Sequence, residues 1–292
     1  MKTLSDNAQK MVLKAQRLEI TEHQLYTRLA NNVRNKSNKR ILSKIADMEL
    51  EHYEFFKKYT KSDAKPLRLK LVFYYLLSRI IGITFGVKLM EHEEQSAQKM
   101  YAALAKEIPQ LKRIMKEEEG HEKKIIGLLE EARVQYLGSV VLGLNDALVE
   151  LTGALAGLTL AFQNTRLIAV AGLITGIAAS LSMAASEYLS TKTETSKRNP
   201  LTASIYTGIA YCITVAILIM PFLLFPNPFV DLAMSLAFAV LIIFMFTFYS
   251  SITSGKKFIR LFGEMLLISL GVAAFTFLIG ILLRKFVGIA LS

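Results

Sequence analysis

The sequence predicts an all-α chain in two parts: a soluble four-helix bundle over residues 1–133 and a five-helix transmembrane domain over 134–292. Three observations carry that prediction. Charge is unevenly divided, with 26 Lys and Arg and 18 Asp and Glu in the first 133 residues against 9 and 6 in the remainder. The second part holds five apolar runs close to the ~20 residues a helix needs to cross a bilayer. The first part repeats its apolar residues at the helical period, with few Gly or Pro inside the periodic stretches. No stretch argues for a strand.

In chain order, helix one is expected from about Ser5 to Val33, ended by the Asn-rich stretch Asn31 to Asn38. Helix two follows to about Tyr59. Residues 66–82 are harder to place, because Leu71 to Leu77 is almost wholly apolar while Arg68, Lys70 and Arg79 flank it. A sixth span there would invert everything that follows. The expectation is an amphipathic helix, lying on the membrane surface or forming the bundle's crossover. Helix three occupies about 84–105. Pro109 opens helix four where its missing N–H costs nothing. Only Gly120 and Gly127 precede Gly138, so helix four is expected to run into the first span as one rod of about 80 Å, from Pro109 to Phe162.

The spans are read at roughly 138–162, 167–189, 202–225, 229–250 and 265–284. Lys192, Lys197 and Arg198 follow the second, and Lys256, Lys257 and Arg260 follow the fourth. The opposite loops carry only Arg166. The positive-inside rule then places the N-terminal part in the cytoplasm and the C-terminus outside, in a multi-pass protein of the plasma membrane. Arg284 and Lys285 run mildly against that bias. The N-terminus has no apolar stretch of the signal-peptide kind, which agrees.

The net charge of +11 comes mostly from the first part. Beside a membrane domain such a surface suits anionic lipid headgroups, and no nucleic-acid partner is expected. Cys212 is the lone cysteine, which excludes an intrachain disulfide and a thiolate metal cluster. Nothing resembles a nucleophile triad or a phosphate loop.

Chemistry in the first part is carried by four fragments. Helix one contains Glu19, Glu22, His23 and Tyr26; helix two contains Glu49-Leu-Glu-His52. Helix three contains Glu91, His92, Glu93, Glu94 and Tyr101, and helix four Glu118-Glu-Gly-His121. Residues three apart share a helix face, so each Glu-x-x-His pair aims a carboxylate and an imidazole at one point. The order Glu, Glu-x-x-His, Glu, Glu-x-x-His supplies six ligands for two metals at the bundle's centre. Glu19 precedes Tyr26 by seven residues and Glu94 precedes Tyr101 by the same seven, which selects Glu19 and Glu94 as ligands. Glu22 and Glu91 lie three residues away on the same faces, as bridging or gating candidates. His23 and His92 match neither template position.

This ordered set resembles the ferritin-like superfamily, and rubrerythrin most closely. The resemblance implies a di-iron centre able to oxidise Fe(II). The cysteine-bound iron site of rubrerythrin has no counterpart, because the cysteines are missing.

In the first span Asp146, Glu150, Gly153 and Gly157 fall on one helical stripe; in the second, Gly172, Gly176, Met183 and Glu187 do the same. In an antiparallel hairpin the glycines of the two stripes are expected to meet, with Asp146 and Met183 at similar depth. An ionised carboxylate within a span costs roughly 2.5–3.5 kcal/mol, which marks Asp146 and Glu150 as transport-site candidates. Glu264 and Asp231 sit at span ends, where solvation is expected. The run Gly143 to Gly157, with Ser182-Met183-Ala-Ala-Ser-Glu187-Tyr-Leu-Ser190, resembles the vacuolar iron transporter family, over essentially all of 138–292. That resemblance implies five spans, a homodimer, and exchange of Fe(II) or Mn(II) for protons by way of Asp146 and Met183, with Glu150 and Glu187 nearby. Taken together, the halves resemble membrane-bound ferritin fusions. The expected function is export of divalent metal from the cytoplasm by proton antiport, with a bundle that captures, senses or oxidises iron. The alternative is a membrane-anchored di-iron oxidase or peroxidase whose spans serve only as anchor.

Overall fold

The computed structural model describes residues 4–112, 115, 135–194 and 198–287, without the side chains of 91–99 and 287. Every element in that range is helical. The chain divides into two compact units, Met1–Val134 and Gln135–Ser292.

In the first unit α1 (Asp6–Asn32) and α2 (Lys36–Thr60) form a hairpin. Ser5 caps α1 by accepting from the Ala8 N–H, and Asn35 caps α2 by accepting from Ser37 and Asn38. The Asn-rich stretch is therefore a tight turn that supplies a cap, because short polar side chains compete for free backbone N–H groups at a helix start. After α2 the chain is tied back onto α1. Gln16 donates to the Ser62 carbonyl at 2.9 Å, and the Leu67 N–H donates to Thr21 at 2.9 Å. These bonds launch α3 (Arg68–Ile80), which packs on α1 and α4 (Ile83–Leu104). At 13 residues α3 is too short to cross a bilayer, so a sixth span is ruled out. Gly82 joins α3 to α4 with φ 142°, a conformation open to a residue without Cβ. Two apolar clusters hold the bundle, one around Tyr26, Leu42, Ile45 and Met90, the other around Val12, Phe56, Leu104 and Leu111. Most of the expected helix four, and with it the continuous rod, lies outside the described residues.

The second unit contains α5 (Leu137–Phe162), α6 (Thr165–Thr193), α7 (Pro200–Leu224), α8 (Pro228–Ser254) and α9 (Phe258–Val287). All five are long and apolar enough to cross a membrane. Asn164, Asn199 and Asn227 each cap the helix that follows, and Pro200 and Pro228 sit in first turns where no N–H is required. Every one of these helices begins before its expected apolar run, and α6, α7 and α8 do so at an asparagine cap, because capping rather than apolarity sets a helix start.

The glycine stripes do not meet as expected. Gly153 and Gly157 lie against Val272 and Thr276 of α9, and the Thr276 hydroxyl donates to the Gly153 carbonyl at 2.7 Å. Gly176 lies against Val215 of α7, while Gly172 faces Leu155 and Ile219. Periodicity identified both stripes, but each packs chiefly on a different helix. A Cβ at Gly143 would overlap the Thr207 carbonyl oxygen, so that glycine sets the approach of α5 to α7.

Candidate metal centres

In the bundle, Glu19 on α1 and Glu49 and His52 on α2 converge. One donor atom from each lies within 4.8 Å of the others, and all three residues are buried. His52 Nδ1 stands 3.7 Å from Glu19 Oε2 and 3.6 Å from Glu49 Oε2. The i, i+3 spacing of Glu49 and His52 puts both on one face of α2, and antiparallel packing brings Glu19 opposite them. Glu22, one turn after Glu19, is buried too. The backbone of Glu91 and Glu94 belongs to α4, but their side chains lie outside the described residues, as do Glu118 and His121 altogether.

One participant was not expected. The Tyr101 hydroxyl on α4 donates to Glu19 Oε1 at 2.7 Å inside the bundle. The seven-residue echo with Tyr26 drew attention to Tyr101 as a marker of repetition, and its partner could not be read from spacing. Burial pushes the Glu19 carboxyl up, but the neighbouring His52 imidazole, with Glu49 and Tyr101, outweighs burial and holds it below the ordinary carboxylate value. Glu19 is thus oriented and held in its anionic, donor-ready form. His23 serves otherwise: its Nδ1 hydrogen-bonds the Ala46 carbonyl at 2.7 Å.

Burying carboxylates without a counter-charge is costly, and an imidazole alone leaves an excess of negative charge. A divalent cation would remove that excess. Two carboxylates and an imidazole suit Fe(II), Mn(II) or Zn(II) alike, so the donor set fits the expected metal without selecting it.

In the membrane unit, Asp146 lines a cavity of about 590 Å³ formed by α5, α8 and α9. Asn145, Thr247, Ser250 and Ser254 contribute oxygens to it, and Lys256 and Glu264 contribute charge. Glu150, one turn on, is exposed on the flank of α5 and accepts from the Tyr211 hydroxyl of α7 at 2.8 Å. Met183 is half-buried and packs against the unit's apolar core; it is not part of the wall of this cavity. Glu187 is buried, accepting from Ser139 at 2.6 Å and Thr191 at 3.4 Å, with the Arg198 guanidinium 3.8 Å away. That set ties the end of α6 to the start of α5. Asp231, expected to be solvated, is instead fully buried and accepts from Thr165 at 2.7 Å, which joins the starts of α6 and α8.

Comparison with known proteins bears on both units. Residues 2–73 match the rubrerythrin family and residues 137–198 match the VIT family. The chain is a rubrerythrin–VIT fusion. The rubrerythrin match contains Glu19, Glu22, Glu49 and His52; the VIT match contains Asp146, Glu150, Met183 and Glu187. Helices α7, α8 and α9 lie beyond the VIT match. No curated protein matches the chain, and no solved structure does. The rubrerythrin segment points to di-iron binding and the VIT segment to metal transport across a membrane. With its five apolar helices, the fusion is a multi-pass membrane protein.

Proposed function

We propose that this chain exports divalent metal from the cytoplasm, with Fe(II) as the cargo and Mn(II) as a second, in exchange for protons. The observation that carries the reading is the pair Asp146 and Glu150, two carboxylates one turn apart on a membrane-spanning helix, the first lining a largely apolar cavity in which Asn145, Thr247, Ser250 and Ser254 supply the polar groups. Like charges at that spacing repel, strongly so where water is scarce. A divalent cation relieves the repulsion when it binds; protons relieve it when the cation has left. Exchange of metal for protons follows from that alternation. Tyr211 fixes the Glu150 carboxylate so that the pair is organised before metal arrives. The family resemblance adds Met183 and Glu187 to the path.

Glu150 is exposed within a span, and a carboxylate facing acyl chains is costly. A second copy of the chain covering that face, in a homodimer, belongs to the proposal. The excess of Lys and Arg after α6 and around the start of α9, against Arg166 alone in the first turn of α6, supports a cytoplasmic N-terminal unit; the membrane we assign is the plasma membrane.

The bundle captures metal in the same compartment. Glu19, Glu49 and His52, with Glu22, Glu91, Glu94, Glu118 and His121, are the residues that would hold a di-iron centre. When bound, such a centre supplies Fe(II)/Fe(III) redox chemistry. The chain's own contribution is a water-poor interior in which Tyr101 orients Glu19 and His52 balances its charge.

Fe(II) flux into proteoliposomes tests the reading. Asp146→Asn and Glu150→Gln are each expected to abolish proton-coupled flux while leaving folded, oligomerised protein. Unchanged flux in both would remove the assignment. The rubrerythrin match favours one second reading, a membrane-anchored oxidase. It predicts that Glu49→Ala eliminates oxygen-dependent iron oxidation and that Asp146→Asn changes nothing.

A further inference from the structure

The helix between α2 and α4 turns two different faces outward and inward. Leu71, Tyr74 and Ser78 are buried against the bundle. On the opposite side Leu69, Val72, Phe73, Leu76 and Ile80 are exposed, Leu69 by 90% and Ile80 by 72%. At 3.6 residues per turn those five side chains fall within a stripe roughly 100° wide, which is the apolar face of an amphipathic helix. It faces away from the only core that α3 touches among the described residues. A soluble bundle seldom leaves such a continuous apolar stripe uncovered.

Charge identifies the cover. Arg68 and Arg79 lie along one edge of the stripe and Lys70 along the other, so cations border it on both sides. Between Asp63 and Glu91 the sequence contains no acidic residue, while Lys65, Arg68, Lys70, Arg79 and Lys88 are all basic. Apolar side chains at the centre with long basic side chains at the margins match the boundary between acyl chains and anionic headgroups, where the basic stems lie along the apolar layer and their ends reach phosphate. A bilayer is also at hand, since the same chain carries five spans. An interface with a second copy of this face would bring like-charged margins together.

We infer that α3 is an interfacial membrane helix, docking the rubrerythrin-like unit on the anionic surface of the bilayer that its own chain spans. Thirteen residues at 1.5 Å each make a rod of about 20 Å, long enough to lie along the surface and too short to cross it. Docking of this kind needs no metal in the bundle and no flux through the spans, so it stands or falls apart from the transport proposal.

The test uses the full chain reconstituted in vesicles of phosphatidylcholine with a quarter phosphatidylglycerol. In a Cys212→Ser background, Phe73→Cys is labelled with an environment-sensitive fluorophore; Lys44→Cys, on the exposed side of α2, is the control. Lipid-borne quenchers are expected to quench the label at position 73 and not at 44, with aqueous iodide showing the reverse. Arg68→Glu, Lys70→Glu and Arg79→Glu should each lower the docked-to-undocked ratio by at least roughly fivefold in these vesicles, and far less in phosphatidylcholine alone. Iodide quenching at 73 equal to that at 44 would overturn the inference. So would protection of position 73 from both quenchers, which would mean that protein covers the stripe.

Discussion

Replacing Tyr101 by Phe removes one oxygen from the bundle and leaves the ring, which stacks on Phe56 at 5.9 Å between centroids. The lost oxygen donates to Glu19 Oε1 at 2.7 Å, and Glu19 is only 2% exposed, so water does not readily replace it. A buried hydrogen bond to a charged acceptor contributes about 1.5–3 kcal/mol. Removing a partner that orients a metal ligand typically weakens metal affinity by about 10–100-fold, or roughly 1.4–2.8 kcal/mol. The two figures agree because both measure how well Glu19 is held. The assay is anaerobic competition for Fe(II) with a chelating dye, on the full chain in nanodiscs. Asp146→Asn and Glu150→Gln are added so that the membrane carboxylates do not compete. Tyr101→Phe should weaken binding within that range with unchanged helix content. Wild-type affinity would refute the reasoning, since Glu19 would then not be a ligand or Tyr101 would not hold it.

Other outcomes follow from the same contacts. Because His52, Glu49 and Tyr101 outweigh burial and hold the Glu19 carboxyl below its ordinary value of 4.5, its contribution to stability is present above that pH and is lost as pH falls through the lower folded value. The thermal stability of metal-free protein should therefore fall on acidification below about pH 4.5, and less so in Tyr101→Phe; a flat profile would contradict this. Gly143→Ala drives a methyl into the Thr207 carbonyl and should destabilise the membrane unit by roughly 1–3 kcal/mol, whereas Gly263→Ala meets nothing within 4 Å and should be neutral or mildly stabilising, both read from melting in detergent. Glu187→Gln retains an oxygen for Ser139 but loses a charge on the proposed path, so the protein should fold while its flux falls, less than in Asp146→Asn; wild-type flux would remove Glu187 from the path.

Helix positions were largely legible in the sequence, because apolar period, capping residues and turn residues act locally. The Glu-x-x-His register on α2 was legible for the same reason: residues three apart on a helix share a face, which puts Glu49 beside His52. Contacts between helices were not. The stripes of α5 and α6 were read correctly as stripes, yet a period says which residues share a face and not which neighbour that face meets. Asp231 looked like a solvated end because it lies near a loop, and only the approach of Thr165 from another helix shows why it is buried. Tyr101 and Glu19 are 82 residues apart, and no local rule joins them. The outward face of α3 was legible as amphipathic, but its direction required knowing which side Leu71 and Tyr74 take against the bundle.

The account rests on carboxylates gathered twice, around Glu19, Glu49 and His52 in one unit and at Asp146 and Glu150 in the other. Crystals of the full chain soaked anaerobically in Mn(II) or Fe(II), with anomalous scattering recorded at the metal edge, test both gatherings at once. The account predicts anomalous peaks within coordinating distance of each group, and loss of the second peak alone in Asp146→Asn. Peaks elsewhere, with neither group occupied at saturating metal, would contradict it.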